Sequence, residues 1–291
     1  MRVLVTGSAG QLGRAVTETL TRVQAAGGSV VFRGVGSAEM DITSESSVAA
    51  VLGEFAPDVV INCAAYTAVD DAETDEDSAL RVNADGPANL ARATAASGSR
   101  LIHVSTDYVF DGQGHTPYPA DAPTGPNTAY GRTKLAGEEA VRRLDPSAHI
   151  VRTAWVYTGW GYVDGGTDFV ATMRRLEGER ETINVVDDQR GSPTYAPDLA
   201  AGLVELAGLA ADTGLVLHAT NAGEATWWEL ARAVFEGVGA DPDRVRPCSS
   251  SEFPRPAPRP AYSVLSGGEW SAFGLTPLRD WRDALHAALS K

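Results

Sequence analysis

The stretch that decides the fold class is VLVTGSAGQLG, which runs from Val3 to Gly13. Its first three residues are apolar, as in a short buried strand, and from Leu12 onward apolar residues recur at helical spacing. Glycines at three-residue intervals lie between the two patterns. They permit a tight turn, close approach of the backbone to a pyrophosphate, and a helix N-terminus directed at its charge. The stretch therefore predicts a dinucleotide-binding loop, whose cofactor-binding residues are Gly7, Gly10, Gln11, Leu12 and Gly13.

Further strand and helix patterns alternate along the next part of the chain. The predicted elements are strands at residues 30–32, 59–62 and 101–104, and helices at residues 44–55 and 81–96. The second of these helices is expected to kink or break near Gly86 and Pro87. Three strand–helix units within about 105 residues indicate right-handed crossovers and a parallel, doubly wound sheet. We therefore expect an α/β protein of the Rossmann type.

The end of the second strand bears on the choice of cofactor. An acidic residue there would bind the adenosine ribose 2′-hydroxyl of NAD, but the first acid after this strand is Glu39. Arg33 or Ser37 can accept a 2′-phosphate, so the sequence favours NADPH over NADH. The alternative is that Arg33 is a solvated charge at a strand end. The other predicted cofactor-binding residues are Asp41 and Ile42 beside the adenine, Ala64, Ala65, Tyr66 and Thr67 after the third strand, and Asn83.

Composition and charge argue against several classes of protein. The net charge is −14, so we expect no nonspecific binding to nucleic acid or to an anionic membrane. Cys63 and Cys248 are too few and too far apart for a disulfide framework or a Cys-x-x-Cys metal site. We find no signal-peptide pattern and no apolar run of about 20 residues, and we expect a cytoplasmic protein. The acidic run from Asp70 to Asp77 is interpreted as a solvated loop and helix start, not as a metal site.

A second informative stretch, STDYVF at residues 105–110, directly follows the fourth strand. The sequence YGRTK at residues 130–134 starts another helical pattern, which places Tyr130 and Lys134 one turn apart on one face. A phenol beside a fixed ammonium, facing a strand end that presents Thr106, can donate a proton to a carbonyl group. Lys134 and an oxidised nicotinamide are expected to lower the pKa of Tyr130 from its usual value of about 10. The alternatives are a surface helix pair and a strand-end cap by Thr106.

Two histidines and two loops can also be interpreted from the residues alone. His103 and His218 lie in apolar strands and are interpreted as core residues, not catalysts. Residues 111–127 are rich in Gly, Pro and Asp, so they form a loop, which is a candidate lid over the site. A second Gly-rich loop is predicted at residues 159–166.

These residues carry a resemblance to the extended short-chain dehydrogenase/reductases. Within that group, four motifs are similar to those of the dTDP-4-dehydrorhamnose reductase family: STDYVF at 105–110, YGxxKxxGE at 130–138, WVY at 155–157 and DQxGxPT at 188–194. The matching segments span nearly the whole chain in the family's order. The resemblance implies a Rossmann domain at residues 1–154, rejoined by about 195–222, and a smaller C-terminal α/β substrate domain formed by residues 155–194 and 223–291.

The resemblance also implies an activity, the reduction of the C4 ketone of dTDP-4-dehydro-L-rhamnose to dTDP-L-rhamnose by NADPH or NADH. It implies that Tyr130 donates the proton, that Lys134 supports it and binds the nicotinamide ribose, and that Thr106 completes the catalytic group. It places Thr106, Asp107 and Trp155 on the sugar. Arg259 is expected to help hold the diphosphate, although it can equally be a solvated arginine in a Pro-rich turn. The other candidate cations are Arg174, Arg175, Arg190 and Arg255.

The chain also departs from the family pattern at two places. Some members have an acid at the end of the second strand, where this chain has Gly34. Some hold Mg²⁺ at a dimer interface with a carboxylate shortly after the last motif, where this chain has Pro197. A role for Mg²⁺ and a homodimer therefore stay open. The alternative functions are a 4-ketoreductase for another dTDP-deoxysugar of a natural-product pathway, a non-catalytic nucleotide-binding regulatory subunit, and an epimerase.

Overall fold

Apolar runs in the first half of the chain form the strands of a parallel sheet. The computed structural model describes residues 1–159, 168–209 and 213–290. Its strands are β1 (Arg2–Thr6), β2 (Val31–Val35), β3 (Val59–Asn62), β4 (Arg100–Thr106), β5 (His149–Thr153), β6 (Val156–Tyr157), β7 (Ile183–Val186), β8 (Arg190–Gly191), β9 (Thr194–Tyr195), β10 (Val216–His218), β11 (Ala225–Thr226) and β12 (Val245–Cys248). The helices are α1 (Gln11–Ala25), α2 (Glu45–Phe55), α3 (Val69–Ala72), α4 (Glu76–Leu80), α5 (Gly86–Ser97), α6 (Ala129–Leu144), α7 (Phe169–Glu179), α8 (Ala196–Gly208), α9 (Trp227–Gly237), α10 (Gly268–Ala272) and α11 (Trp281–Leu289).

Six strands form the central sheet in the order β10-β5-β4-β3-β1-β2, and every neighbouring pair is parallel. All four residues of β3 are buried, because helices cover both faces of the sheet and leave neither face open to solvent. The predicted doubly wound α/β fold is therefore confirmed. The second strand is longer than predicted, and Arg33 and Gly34 lie within it.

Helices α1 and α8 cover one face of this sheet. Leu12, Val16 and Leu20 of α1 share a core with Leu199 and Leu203 of α8 and with the inner side chains of β1 and β3. The other face packs on α2, α5 and the end of α6. The segment that contains α8 and β10 thus returns to the first sheet after the chain has left it.

A second core lies in the C-terminal half. Helices α7, α9 and α11 pack there around Leu230, Val234, Phe235 and Trp281. Short strand pairs β11–β8, β12–β7 and β6–β9 connect these helices. The division of the chain into a nucleotide-binding domain and a substrate domain, with the boundaries given above, stays a prediction.

The helix predicted at residues 81–96 has an irregular start. The helical chain begins at α4, passes through a π-helical turn from Arg81 to Asp85, and continues as α5. Pro87 lies in the first turn of α5. Proline has no N–H to donate, so a distortion just before it costs the helix little. The predicted irregularity is therefore present, but as a π turn before Gly86.

The loop at residues 111–127 is anchored at its middle. The Tyr118 amide donates to the Val264 carbonyl at 2.8 Å, and the Ser266 amide donates to the Tyr118 carbonyl at 2.8 Å. Ala120 donates to Glu269 Oε1 at 3.2 Å and accepts from Arg152 Nη1 at 3.1 Å. Any motion as a lid must break these bonds, and this role stays a prediction. The Gly-rich loop predicted at residues 159–166 lies, except for its first residue, outside the described residues.

Across the described ranges, no helix combines the length and the apolar character that a bilayer crossing requires.

Candidate active site

The N-terminus of α6 carries Tyr130 and Lys134 into the interior. Thr128 precedes the helix and caps it, because its hydroxyl accepts the Gly131 amide at 3.0 Å. A side chain at Gly131 would overlap the Tyr108 carbonyl oxygen, so glycine is needed where α6 meets the turn after β4. Tyr130 is 8% exposed and Lys134 is 2% exposed. The interpretation of the two as a surface pair is therefore wrong.

The ammonium of Lys134 lies against the central sheet. Its Nζ donates to the Val104 carbonyl of β4 at 2.8 Å. Burial lowers the pKa of Lys134 to about 8, although the negative charge of Glu138 and the neighbouring Cys63 oppose this shift. Lysine is the basic side chain whose pKa can be moved in this way, since arginine stays charged. The chain has two lysines, Lys134 and Lys291. One of them therefore lies on α6, where burial can shift its pKa.

The phenol of Tyr130 does not behave as the sequence predicts. Burial raises the pKa of Tyr130 to about 12, while a hydrogen bond with the Thr106 side chain lowers it and the nearby Asp107 raises it further. The expected lowering by Lys134 is therefore wrong for the free protein. The reason is that burial outweighs the charge, since the Lys134 ammonium is directed to the Val104 carbonyl. A phenol with a raised pKa stays protonated, which is the form that can donate a proton.

Thr106 is the last residue of β4, and Asp107 follows it directly. The Thr106 hydroxyl donates to Asp107 Oδ1 at 2.9 Å and accepts the Tyr108 amide at 3.2 Å. Thr106 therefore caps the short 3₁₀ turn from Asp107 to Val109 and also faces Tyr130. Burial raises the pKa of Asp107 to about 6. The Tyr108 ring lies edge-on to Tyr130, with ring centroids 5.5 Å apart, and closes the group.

The glycine-rich loop has the shape that a pyrophosphate requires. Gly7 has φ +62°, and a Cβ there would lie 2.7 Å from the Ala64 nitrogen. A Cβ on Gly13 would overlap the Gly7 carbonyl oxygen. Side chains would thus fill the space between the loop, the start of α1 and the segment after β3. This close backbone approach fits the predicted dinucleotide, with the N-terminus of α1 directed at the phosphates.

The residues predicted to lie near the adenosine make contacts within the protein. Arg33 lies in β2 and pairs with Glu54 Oε1 at 3.2 Å, and the Arg33 side chain is 34% exposed. Asp41 Oδ1 accepts both the Thr43 amide and the Thr43 hydroxyl, and Ile42 is buried. The pair with Glu54 and the partial exposure support the interpretation of Arg33 as a solvated charge, but Arg33 lies in the middle of β2 and not at a strand end. Binding of a 2′-phosphate by Arg33 or Ser37 stays a prediction.

Asn83 has a structural task that the sequence did not reveal. Its Oδ1 accepts the Tyr66 amide at 2.8 Å, and its Nδ2 donates to the Tyr66 carbonyl at 3.0 Å and to Thr133 Oγ1 at 3.2 Å. The π-helical turn supplies this position, and Gly137 of α6 packs directly on the Asn83 backbone. Asn83 thus fixes the segment after β3 relative to α6, and direct contact with a cofactor stays a prediction.

Trp155 has a backbone φ of +47°, a left-handed conformation that residues other than glycine rarely adopt. Its indole stacks on Trp227 with ring centroids 3.5 Å apart and an interplanar angle of 7°. A Cβ at Gly191 would lie 2.5 Å from the Trp155 ring. A cavity of about 150 Å³ borders these rings and also Gln11 of the glycine-rich loop. The stacked pair therefore lies beside the predicted cofactor loop.

The predicted anion-binding arginine is already paired. Arg259 Nη2 donates to Asp70 Oδ2 at 2.8 Å, and the Ala257 amide donates to Asp70 Oδ1 at 3.2 Å. Burial is the largest single influence and opposes the ionisation of Asp70, but the bonds from Arg259 and Ala257 and the positive charges of Arg259 and Arg255 together lower the pKa of Asp70. Arg259 also borders a cavity of about 220 Å³ with Tyr108. A diphosphate would have to compete with Asp70 for Arg259, so this role stays a prediction.

Three of the other four candidate cations have protein partners, while the positive charge of the fourth, Arg255, lowers the pKa of Asp70. Arg175 pairs with Glu179 at 2.6 Å, and Arg190 pairs with Glu224 at 3.3 Å. Arg174 Nη1 donates to the Gly159 carbonyl at 2.9 Å. The structure therefore does not gather Arg174, Arg175 and Arg190 into one anion site with Arg259.

The acidic run after β3 serves local structure. Asp75 caps α4, and Glu76 makes a two-bond pair with Arg132 of α6 at 2.9 and 2.7 Å. Glu73 Oε1 accepts the Ala129 amide at 2.8 Å. Asp75 thus lies at a helix start, as interpreted from the sequence. Glu73 and Glu76 instead bind residues in the first turn of α6. In the parts of the chain that are described, no three potential metal-ligating side chains come together.

Comparison with known proteins places this arrangement in a family. The family model described as RmlD substrate binding domain matches residues 1–291. The chain belongs to this family.

Among relatives of this RmlD-family chain, the dTDP-4-dehydrorhamnose reductase of Mycolicibacterium smegmatis is 51% identical over 290 residues, which cover 99% of the chain and 85% of the relative. A probable dTDP-4,6-dihydroxy-2-methyloxan-3-one 4-ketoreductase of Streptomyces antibioticus is 48% identical over 289 residues, which cover 99% and 94%. The structure of dTDP-4-dehydrorhamnose reductase from Bacillus anthracis in complex with NADP has a TM-score of 0.91 at 36% identity and covers 99% and 98%. Full-length matches of this kind agree with the order of motifs.

Sequence reasoning missed two neighbours of the site in this RmlD-family chain. Trp227 starts α9, and Ser263 lies beside the Asp107 carboxyl. An aromatic residue directly after a helix cap was the sole sequence signal for Trp227. Nothing near Ser263 in the sequence connects it with β4. The predicted core histidines are buried as expected: His103 bonds Asn62 at 2.9 Å, and His218 packs edge-on against Phe110.

Proposed function

We propose that this chain reduces the C4 ketone of a dTDP-4-keto-6-deoxy sugar, namely dTDP-4-dehydro-L-rhamnose, to dTDP-L-rhamnose with NADPH. The observation that carries the proposal is the buried, protonated phenol of Tyr130, which lies beside Thr106 at the carboxyl end of the sheet. Ligands of open α/β sheets bind at this end. The family membership and the name of the Mycolicibacterium smegmatis relative support the choice of substrate.

Each polar group has a defined task in this reaction. A bound nicotinamide cofactor supplies the hydride that adds to C4. Tyr130 gives its proton to the oxygen that becomes negative, and the neutral state held by burial keeps that proton in place before the reaction. Lys134 is a cation near the cofactor and binds the ribose hydroxyls. Gly7, Gly10 and Gly13 hold the pyrophosphate by backbone approach.

The sugar is proposed to bind between Trp155 and the end of β4. Trp155 is held in place because it stacks on Trp227 and packs closely against Gly191. Asp107 and Thr106 supply polar groups opposite this ring. The choice of NADPH follows from the lack of an acid between Arg33 and Ser37 and is supported by the NADP named for the Bacillus anthracis structure.

A second candidate is a 4-ketoreductase for another dTDP-deoxysugar. The Streptomyces antibioticus relative, at 48% identity, carries such a name. The two candidates use the same phenol and differ in the stereochemistry of the sugar pocket. The identity of the product sugar therefore separates them.

The remaining parts of the proposal concern location and assembly. Cys63 and Cys248 are free thiols, which suits a cytoplasmic location. Asp198, next to Pro197, is held by Arg279 at 2.8 and 2.6 Å and is thus engaged within the chain. Sedimentation with and without Mg²⁺ tests whether a homodimer forms and whether the ion contributes to it.

The experiment measures NADPH oxidation with enzymatically generated dTDP-4-keto sugar, followed by identification of the product. Tyr130→Phe is expected to reduce turnover by about 10²–10⁴-fold, because a positioned general acid contributes that much. Tyr157→Phe is the matched control: this tyrosine is also buried, and its hydroxyl has no hydrogen-bond partner among the described residues. A loss of less than tenfold in Tyr130→Phe would exclude Tyr130 as the proton donor.

A further inference from the structure

The carboxyl group of Asp107 is buried next to the catalytic hydroxyls. Asp107 is 2% exposed, and its Oδ1 accepts the Thr106 hydroxyl at 2.9 Å. Its other oxygen, Oδ2, is buried and makes no hydrogen bond of ordinary geometry in the described ranges, although the Ser263 side chain lies beside the carboxyl. A half-satisfied carboxylate in the interior is costly, so this position favours a proton on the group.

The protonation state of Asp107 determines to which group the Thr106 hydroxyl can donate. A threonine hydroxyl has one proton and two lone pairs. While Asp107 is ionised, the proton is directed to Oδ1, and one lone pair accepts the Tyr108 amide at 3.2 Å. The remaining lone pair can accept from Tyr130 but cannot donate to a ketone oxygen. In this state Thr106 holds the Tyr130 proton instead of stabilising the negative oxygen.

We infer that Asp107 is a positioning residue that acts through Thr106, and that its protonated form is the one that supports reduction. A protonated Asp107 donates to Thr106 Oγ1, so the Thr106 proton turns toward Tyr130 and the ketone oxygen. The Tyr130 proton is then free to move to the oxygen as hydride adds to C4. The proton on Asp107 stays there throughout, so the reduction uses only the proton of Tyr130, which Tyr130 regains from solvent before the next turnover. This inference rests on the proposed reductase function.

Among the residues that the structure describes, few charged groups face Asp107. Tyr108, on the same turn, and Tyr130, on α6, are the ionisable side chains against it, and burial raises the pKa of both, so they stay neutral near pH 7. Arg259 and Asp70 act on Tyr108 from its other side and pair with each other. Ser263 lies beside the carboxyl and favours its ionised form, as does Thr106. Burial dominates and sets the pKa of Asp107 at about 6, so the protonated fraction grows as the pH falls from 8 to 5.5.

The test measures kcat of reduction from pH 5.5 to 8 with saturating NADPH and dTDP-4-keto sugar. In the wild type and in Asp145→Asn we expect kcat to fall by at least about tenfold over this range, as for an acid form lost above pH 6. Asp145 is the matched control because it too is buried and accepts hydroxyl bonds, from Thr94 and Ser147, but at the far end of α6. In Asp107→Asn, whose amide is neutral at every pH, kcat should change less than twofold over the same range.

A second variant keeps the test decisive if Asp107→Asn fails to fold. Thr106→Val removes the hydroxyl through which Asp107 acts, so its lower kcat should also lose the dependence on pH. The inference is overturned if either variant keeps the wild-type pH profile, or if the wild-type kcat does not change with pH. Absence of turnover in the wild type with any dTDP-4-keto sugar would instead refute the proposed function.

Discussion

Lys134 is expected to support catalysis but to lower the free energy of unfolding. Its ammonium is buried beneath α6, and burial lowers the pKa of Lys134 from 10.5 to about 8. A group whose pKa is lower in the folded protein destabilises the fold in its protonated form. The cost is complete below pH 8 and disappears as the pH rises toward 10.5. Replacing Lys134 with Met, which has a similar length and no charge, should therefore make the protein more stable while turnover is lost.

The size of this effect follows from the shift and from the one bond that is lost. Each pKa unit corresponds to about 1.4 kcal/mol, so the buried charge costs roughly 3 kcal/mol at pH 7. Loss of the bond from Lys134 Nζ to the Val104 carbonyl removes about 1 kcal/mol. The net expectation is that the free energy of unfolding of Lys134→Met exceeds that of the wild type by about 2 kcal/mol at pH 7.

Urea denaturation of the two proteins at pH 7 and pH 10 measures this difference. At pH 10 the wild-type lysine is largely neutral in the folded state, so the advantage of the variant should shrink by about 2 kcal/mol. Comparing the two proteins at each pH cancels titrations that they share. A variant that is less stable than the wild type at pH 7, or a difference that does not depend on pH, would refute the argument from burial.

Two further predictions concern stability alone. Glu138→Gln should lower the free energy of unfolding, measured by urea denaturation, by about 3–5 kcal/mol. The reason is that Glu138 and Arg152 form a buried ion pair at 2.7 Å, and the change removes the negative charge of that pair. A loss below about 1 kcal/mol would contradict this. Thr226→Ala should cost about 1–2 kcal/mol, since Thr226 and Glu229 form a capping box at the start of α9. Thr226→Ser, which keeps the hydroxyl, should retain most of that stability, and equal losses in both variants would show that the cap contributes little.

Local patterns in the sequence were sufficient for the main frame of the fold. Alternating apolar strands and helices predicted the parallel sheet, and the spacing of Gly7, Gly10 and Gly13 predicted the tight loop before α1. Both depend on residues that are close in the chain, where strand, turn and helix preferences act directly. The extent of β2 was less accurate, because Arg33 and Gly34 join the sheet through pairing with β1.

Contacts between distant residues decided much of the site. Arg259 and Asp70 are 189 residues apart in the chain, and no periodicity connects them. The same holds for Trp155 and Trp227, whose stacking depends on how α9 packs against the turn after β5. A sequence shows that these side chains can form such pairs but not which partners the fold brings within reach.

The sequence by itself determined that a phenol and an amine lie one helical turn apart after a strand that ends in Thr106 and Asp107, because that geometry follows from the repeat of a single helix. The tertiary structure decided their chemistry. Burial holds Tyr130 neutral, draws the pKa of Lys134 down and that of Asp107 up, and directs the Lys134 ammonium to the Val104 carbonyl. Desolvation depends on what packs around a group from every side, and that is known only once the whole chain is folded.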